Sequence, residues 1–192
     1  MSKKIKTIII IAIVAVSIFA LVSLYWVLFY FLRVKPNIDI AKEIEQGNMA
    51  AVSFVESFED EGTTYYSWYD DTANYNINTP PFLKFRFGFQ ALTTLKYDKD
   101  FKLEDPYVYD LRYNVKTLWE NAEYRVIVED YSNVPAPETI DDGSVNFSGE
   151  PENYDLVFDE NMNLIDGDKE IYSKHKDRIE KLYDACKKYI AK

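Results

Sequence analysis

The chain has 192 residues, 32 acids against 22 bases, a net charge of −10, and a single histidine and a single cysteine. A field of that sign repels phosphate backbones and excludes an electrostatic grip on nucleic acid. Its 16 tyrosines and 12 phenylalanines argue against a disordered acidic chain, which would lack aromatics.

Residues 8–32 form a run of 25 without one charged side chain, preceded by Lys3, Lys4 and Lys6 and followed by Arg33 and Lys35. At ~1.5 Å per residue the run spans ~37 Å, against a hydrocarbon layer of ~30 Å. It is too long for a cleaved signal, whose apolar region has only about 7–15 residues and ends at a small-residue cut site. Tyr25, Trp26 and Tyr30 suit the aromatic belt of a membrane interface. The organisation predicted is a cytoplasmic head (1–7), a single-pass transmembrane anchor (8–32) and an extracytoplasmic domain (36–192). The seven-residue head is too small to be a domain, so the N-terminus is placed inside and the tail outside. With no paired cysteines, the composition points to a bacterial cell membrane.

Pro36 is expected to stop the membrane helix. Asn37 or Asp39 can cap a short helix through Ile40, Ala41 and Ile44, with Gly47 as its stop. Over residues 49–58 the spacing of Ala51, Val52, Val55 and Phe58 favours a helix, with a strand as the alternative. Residues 63–69 are rich in β-formers, and 74–81 read as a polar, proline-ended loop. Alternation predicts strands over 83–91, 107–115 and 124–128. After a loop at 133–142, Val145 with Phe147 and Tyr154 with Leu156 and Phe158 mark two more strands. Met162 to Ile165 can pair back after a turn at 159–161. A closing helix carries Ile171, His175, Ile179, Leu182, Cys186 and Tyr189 on one apolar stripe. The fold class predicted is α+β: a transmembrane helix, then a mostly antiparallel meander sheet of five to seven strands. A helical segment flanks the sheet on its N-terminal side and an amphipathic helix closes it. One sheet face should take the terminal helix, and the other should show Arg86, Asp110, Arg112, Asn114 and Glu129.

Between Pro36 and Gly167 nine bases face 27 acids, a net of −18, whereas residues 168–192 hold eight bases and five acids. Acidity at this density attracts cationic partners, or simply keeps a surface protein soluble. Catalytic signatures are missing. His175 and Cys186 share the apolar stripe, which leaves no credible Cys-His or Ser-His pair, and no phosphate-loop, dinucleotide or HExxH pattern occurs. Asp159, Asn161, Asn163 and Glu170 fall at positions 1, 3, 5 and 12 of a calcium loop, but Leu164 stands where the sharp turn needs glycine. A polar hairpin turn is the better reading, and neither metal nor cofactor is expected. Trp68, Tyr69, Asp70 and Asp71, with Asp110, Arg112 and Glu129, make an aromatic and charged set suited to binding a protein partner. Packing of the same aromatics into the core is the competing account.

The uncleaved span, the length and the acidic aromatic meander resemble the TipC-type immunity proteins of Gram-positive bacteria, which guard against a type VII-secreted toxin. The segment Tyr154-Asp155-Leu156-Val157-Phe158-Asp159-Glu160-Asn161-Met162-Asn163-Leu164, followed by a terminal helix, carries the likeness furthest. The resemblance implies a surface-displayed, non-enzymatic domain that captures a secreted protein toxin directed at lipid-linked cell-wall precursors. An accessory or structural subunit of an envelope or secretion complex is the alternative. Small residues at Ala12, Ala15, Ser17, Ala20 and Ser23 would let such a span pack against others.

Overall fold

The apolar run forms helix α1 (Lys3–Phe29), and the helix does not stop at Pro36. Proline has no N–H to donate, and its ring would collide with the Leu32 carbonyl in a regular helix. The chain accommodates it with one π-helical turn, Tyr30–Val34, in which the Lys35 N–H reaches the Tyr30 carbonyl. Helix α2 (Lys35–Glu45) follows directly, so the expected break becomes a bulge. Neither Asn37 nor Asp39 caps it. Asn37 is buried and donates to the Arg33 carbonyl, and Asp39 pairs with Lys35. Gly47, at φ +75°, ends α2 as expected, with its own N–H and that of Asn48 closing onto the Ile44 and Glu43 carbonyls.

The structure is a computed structural model describing residues 3–79, 88–99, 103–115, 117, 121–135, 138–139, 145–146 and 149–190. After α2 come β1 (Ser53–Asp60), β2 (Thr63–Tyr69), β3 (Asn74–Thr79), β4 (Gly88–Leu92), β5 (Lys96–Tyr97) and β6 (Leu103–Asp105). They are followed by β7 (Tyr107–Asn114), β8 (Glu123–Asp130), β9 (Glu138–Thr139), β10 (Val145–Asn146), β11 (Glu152–Phe158), β12 (Leu164–Asp166) and α3 (Lys169–Cys186). Eight of the strands form one antiparallel sheet in the order β1-β2-β3-β4-β7-β8-β11-β12, and β5-β6 and β9-β10 form two small hairpins. The α+β meander is as expected, but its main sheet has eight strands where five to seven were expected, and the Val145 strand pairs in the separate β9-β10 hairpin. Residues 49–58 give β1 rather than a helix, because Glu61 and Gly62, both at positive φ, make a tight turn that folds β1 back on β2. The expected loop at 74–81 is β3, a central strand. Arg86 and the rest of the expected strand start, and Phe147, lie outside the described residues.

Alternation divides the sheet into two faces. Trp68, Tyr75, Ile77, Phe89, Leu111, Val126, Val128, Leu156 and Phe158 point to one side and are almost wholly buried there. That side is covered by α3, through His175, Ile179, Leu182 and Cys186, and by α2, through Ala41 and Ile44. The end of the apolar helix belongs to the same core. Phe29 is only 8% exposed and Val34 only 4%, and Tyr25, Trp26 and Tyr30 pack against the cluster. The expected domain boundary at Pro36 therefore falls inside the folded unit. Phe29→Ala should destabilise the extramembrane domain by about 3 kcal/mol in a denaturant titration of the detergent-solubilised chain. Phe19→Ala, on the exposed part of α1, should leave the same transition unmoved.

Candidate functional site

The face away from the helices is polar, and its register gathers side chains from distant parts of the chain. Tyr65, Asn78 and Gly88 lie in one cross-strand row, and Ser67, Asn76, Gln90 and Arg112 in the next. With Phe58 and Asn114 they line an open groove of about 450 Å³. Phe58 and Tyr65 stack at 4.8 Å with an interplanar angle of 11°, forming its apolar wall. The β-strands that carry the asparagines are fixed by the opposite face, where Tyr75 and Ile77 are fully buried.

Hydrogen bonding polarises this groove. The Ser67 hydroxyl donates to Asn76 Oδ1 at 2.7 Å, and the Gly88 N–H donates to Asn78 Oδ1 at 2.6 Å. Both amide oxygens are thereby consumed, and both amide NH₂ groups are left without a partner among the described residues. A Cβ at Gly88 would stand 2.5 Å from Asn78 Oδ1, so any larger residue here would push the Asn78 amide out of this bond. Gln90 Nε2 donates to Asp110 Oδ1 at 2.8 Å, while Arg112 Nε and Nη2 donate to Asp110 Oδ2 at 2.9 and 2.6 Å. Asp110 is 3% exposed, whereas half of the Arg112 side chain is accessible. The bonds to Asp110 raise the Arg112 pKa above its ordinary value and fix the guanidinium on the groove rim. The outward result is a surface of donors beside a stacked aromatic pair.

The expected binding set divides. Arg112 lies on this groove. Asp110 is the buried clamp beneath it, not a free acid. Glu129 is on the same face one strand over, and its Oε2 accepts from the Tyr131 hydroxyl at 3.0 Å. Tyr69 and Asp71 are exposed on a second hollow, of about 520 Å³, at the end of the sheet beside Arg178 and Lys181. Trp68 is not a contact residue: at 1% exposure it packs edge-on to Tyr189 in the core. Asp70 is likewise structural. Its carboxylate accepts from Lys188 Nζ, the Tyr189 and Tyr75 hydroxyls, and the Thr72 and Ala73 N–H groups. Spacing alone missed Phe58, Ser67, Asn76, Asn78 and Gln90. The available signal was the Asn-Tyr-Asn-Ile-Asn-Thr alternation of β3.

The other chemical candidates are built into the scaffold. His175 Nδ1 lies 2.8 Å from the Tyr109 hydroxyl in the core, and Cys186 is buried. Burial pushes the Cys186 thiol well above its ordinary range. Asp159 closes its turn by accepting from the N–H groups of Asn161 and Asn163 and from the Asn163 amide. Among the described residues no group of three or more His, Cys, Asp or Glu could hold a metal ion.

Two titrations follow from these contacts. Burial would raise the Asp70 pKa, but the bonds from Lys188, Thr72, Tyr189 and Ala73 outweigh it and bring it to about 2. A depressed carboxylate stabilises above its unfolded pKa. About 2 kcal/mol should be present at neutral pH, be lost as pH falls from about 4 to about 2, and vanish from the acid-unfolding profile of Asp70→Asn. Burial, with Lys174 and Arg178 nearby, lowers the His175 pKa. Its neutral form is the folded form, so stability should also decline as pH drops below about 6.5. His175→Gln should flatten that limb alone. No family model, no curated protein and no solved structure matches this chain.

Proposed function

We propose that this is a membrane-anchored binding protein, an immunity protein that captures and neutralises a secreted antibacterial toxin acting on cell-wall precursors. In this reading α1 spans the bacterial cell membrane once, with the N-terminus inside and the domain outside. The observation that carries the binding role is the groove on the outer sheet face. It offers unpaired amide donors, a clamped arginine and a half-exposed aromatic stack, while the histidine and the cysteine are sequestered in the core. Such a surface is matched by a partner presenting carbonyl or carboxylate acceptors around an apolar contact. A tether then raises the binder's effective concentration at the membrane where the toxin works.

The acid excess plays a different part from the one its density suggested. Asp70 and Asp110 are committed to internal partners, so neither steers a ligand. Exposed acids concentrate instead on the β1–β2 hairpin, at Glu56, Glu59, Asp60 and Glu61. The full-length protein in nanodiscs should retain a toxin from the secreted proteins of its own strain. Arg112→Glu and Phe58→Ala should each weaken capture at least ~10-fold, equivalent to about 1.4 kcal/mol. Capture that is undiminished in both variants would exclude the groove. Exchanging residues 8–24 for an unrelated span tests the role against the accessory-subunit alternative: an inhibitor keeps its toxin, while a subunit held by its span loses its complex.

A further inference from the structure

The way the helix is shared between the apolar run and the domain leaves no linker. From Lys3 to Glu45 the backbone is helical throughout, and one side of its middle section is domain core, through Phe29, Val34, Ala41 and Ile44. The opposite side of the π-helical turn is open, with Phe31 56% and Leu32 64% exposed, followed by exposed Arg33. From these features we infer that the extramembrane domain rests directly on the bilayer, with the π-helical turn and the domain surface beside it seated in the lipid headgroup layer. The inference takes α1 as membrane-spanning and is independent of the toxin and of the side on which the domain lies.

The length of the helix sets the height. A hydrocarbon layer of ~30 Å takes ~20 residues at 1.5 Å each. With Lys6 at one boundary, residues 7–26 fill it, and the first residues packed against the domain core are Tyr25 and Trp26. The span therefore ends where the domain begins. Raising the domain by one headgroup layer, ~6 Å, would draw about four residues out of the membrane. That movement would carry Lys4 and Lys6 below the boundary, so that their side chains must snorkel back to the headgroups. It would also lift the exposed Val27, Leu28, Phe31 and Leu32 away from lipid into water. The open side of the turn has the composition of such an interface, with the apolar Phe31 and Leu32 side chains exposed where the acyl boundary would lie.

The same geometry ranks positions by height. Tyr113 stacks on Tyr124 at 4.6 Å, and Tyr124 pairs with Phe158, the last residue before the β11–β12 turn. Arg33, at the foot of α2, acts on the same Tyr113, which puts that turn near the foot of the domain. Glu45 bonds Ser57, which puts the middle of β1 beside the far end of α2, ~27 Å along the axis from the boundary. Fluorophores are attached at single introduced cysteines, Val16→Cys, Glu160→Cys and Glu56→Cys, with buried Cys186 left in place and mock-labelled wild type as the blank. The chain is reconstituted in phosphatidylcholine vesicles carrying a quencher on either the headgroup or the acyl chain. The acyl-chain quencher should reach Val16→Cys. The headgroup quencher should act on Glu160→Cys several-fold more strongly than on Glu56→Cys. Equal, weak quenching at the latter two with Val16→Cys quenched would show a domain held clear of the surface and would overturn the inference. A Val16→Cys probe that no lipid quencher reaches would remove the membrane-spanning reading itself.

Discussion

One helix changes its surroundings along its length, and the rest of the structure is arranged around that change. From residue 8 to 24 it is apolar all round, within a helix long and apolar enough to cross a membrane. Its later turns are apolar on one side, where the sheet supplies the cover. The transition takes place within the few residues around the π-helical turn. Because Phe29 and Val34 complete the same core as Ile179 and Leu182, the end of the apolar helix contributes to the domain's stability. A helix joined by a flexible segment would not.

The sheet solves the complementary problem. An antiparallel sheet can bury one face and keep the other in water. Here the helices take up the hydrophobic face, which leaves the outer face polar. Its polar side chains are ordered by one another: serine holds asparagine, a backbone N–H holds a second asparagine, and a buried aspartate holds arginine and glutamine. Each of these bonds removes rotational freedom before any ligand arrives, which lowers the entropy cost of binding. In the proposed binding role, a partner would meet donors that are already ordered.

The sequence was most legible where a single periodicity matched a single environment. The closing helix, with its stripe from Ile171 to Cys186, and the strands around Tyr109 and Val126 are half-buried elements of that kind. β1 was illegible because it is an edge strand exposed on both sides, so Phe54, Val55 and Phe58 follow no burial period. β3 was misread because asparagine disfavours strands in general, although Asn74, Asn76 and Asn78 alternate regularly with Tyr75, Ile77 and Thr79. Tertiary pairing overrode that preference. At the site, charge and aromaticity were poor guides: Trp68, Asp70 and Asp110 carry the residue types of an interface and serve the interior. What distinguished Arg112 was its place in the register, which no local pattern contains.

The Asp70 carboxylate has a further consequence, one of distance along the chain. Its partners Lys188 and Tyr189 lie 118 and 119 residues downstream, almost at the end of the chain. Without them, Asp70 is a charge facing an unfinished core, and Trp68 and Tyr75 lack the ring of Tyr189 that packs on both. Neighbouring strands can pair locally, but the interior beneath β2 and β3 is closed by residues more than a hundred positions further along, so this corner of the core is held by contacts of very long range in sequence.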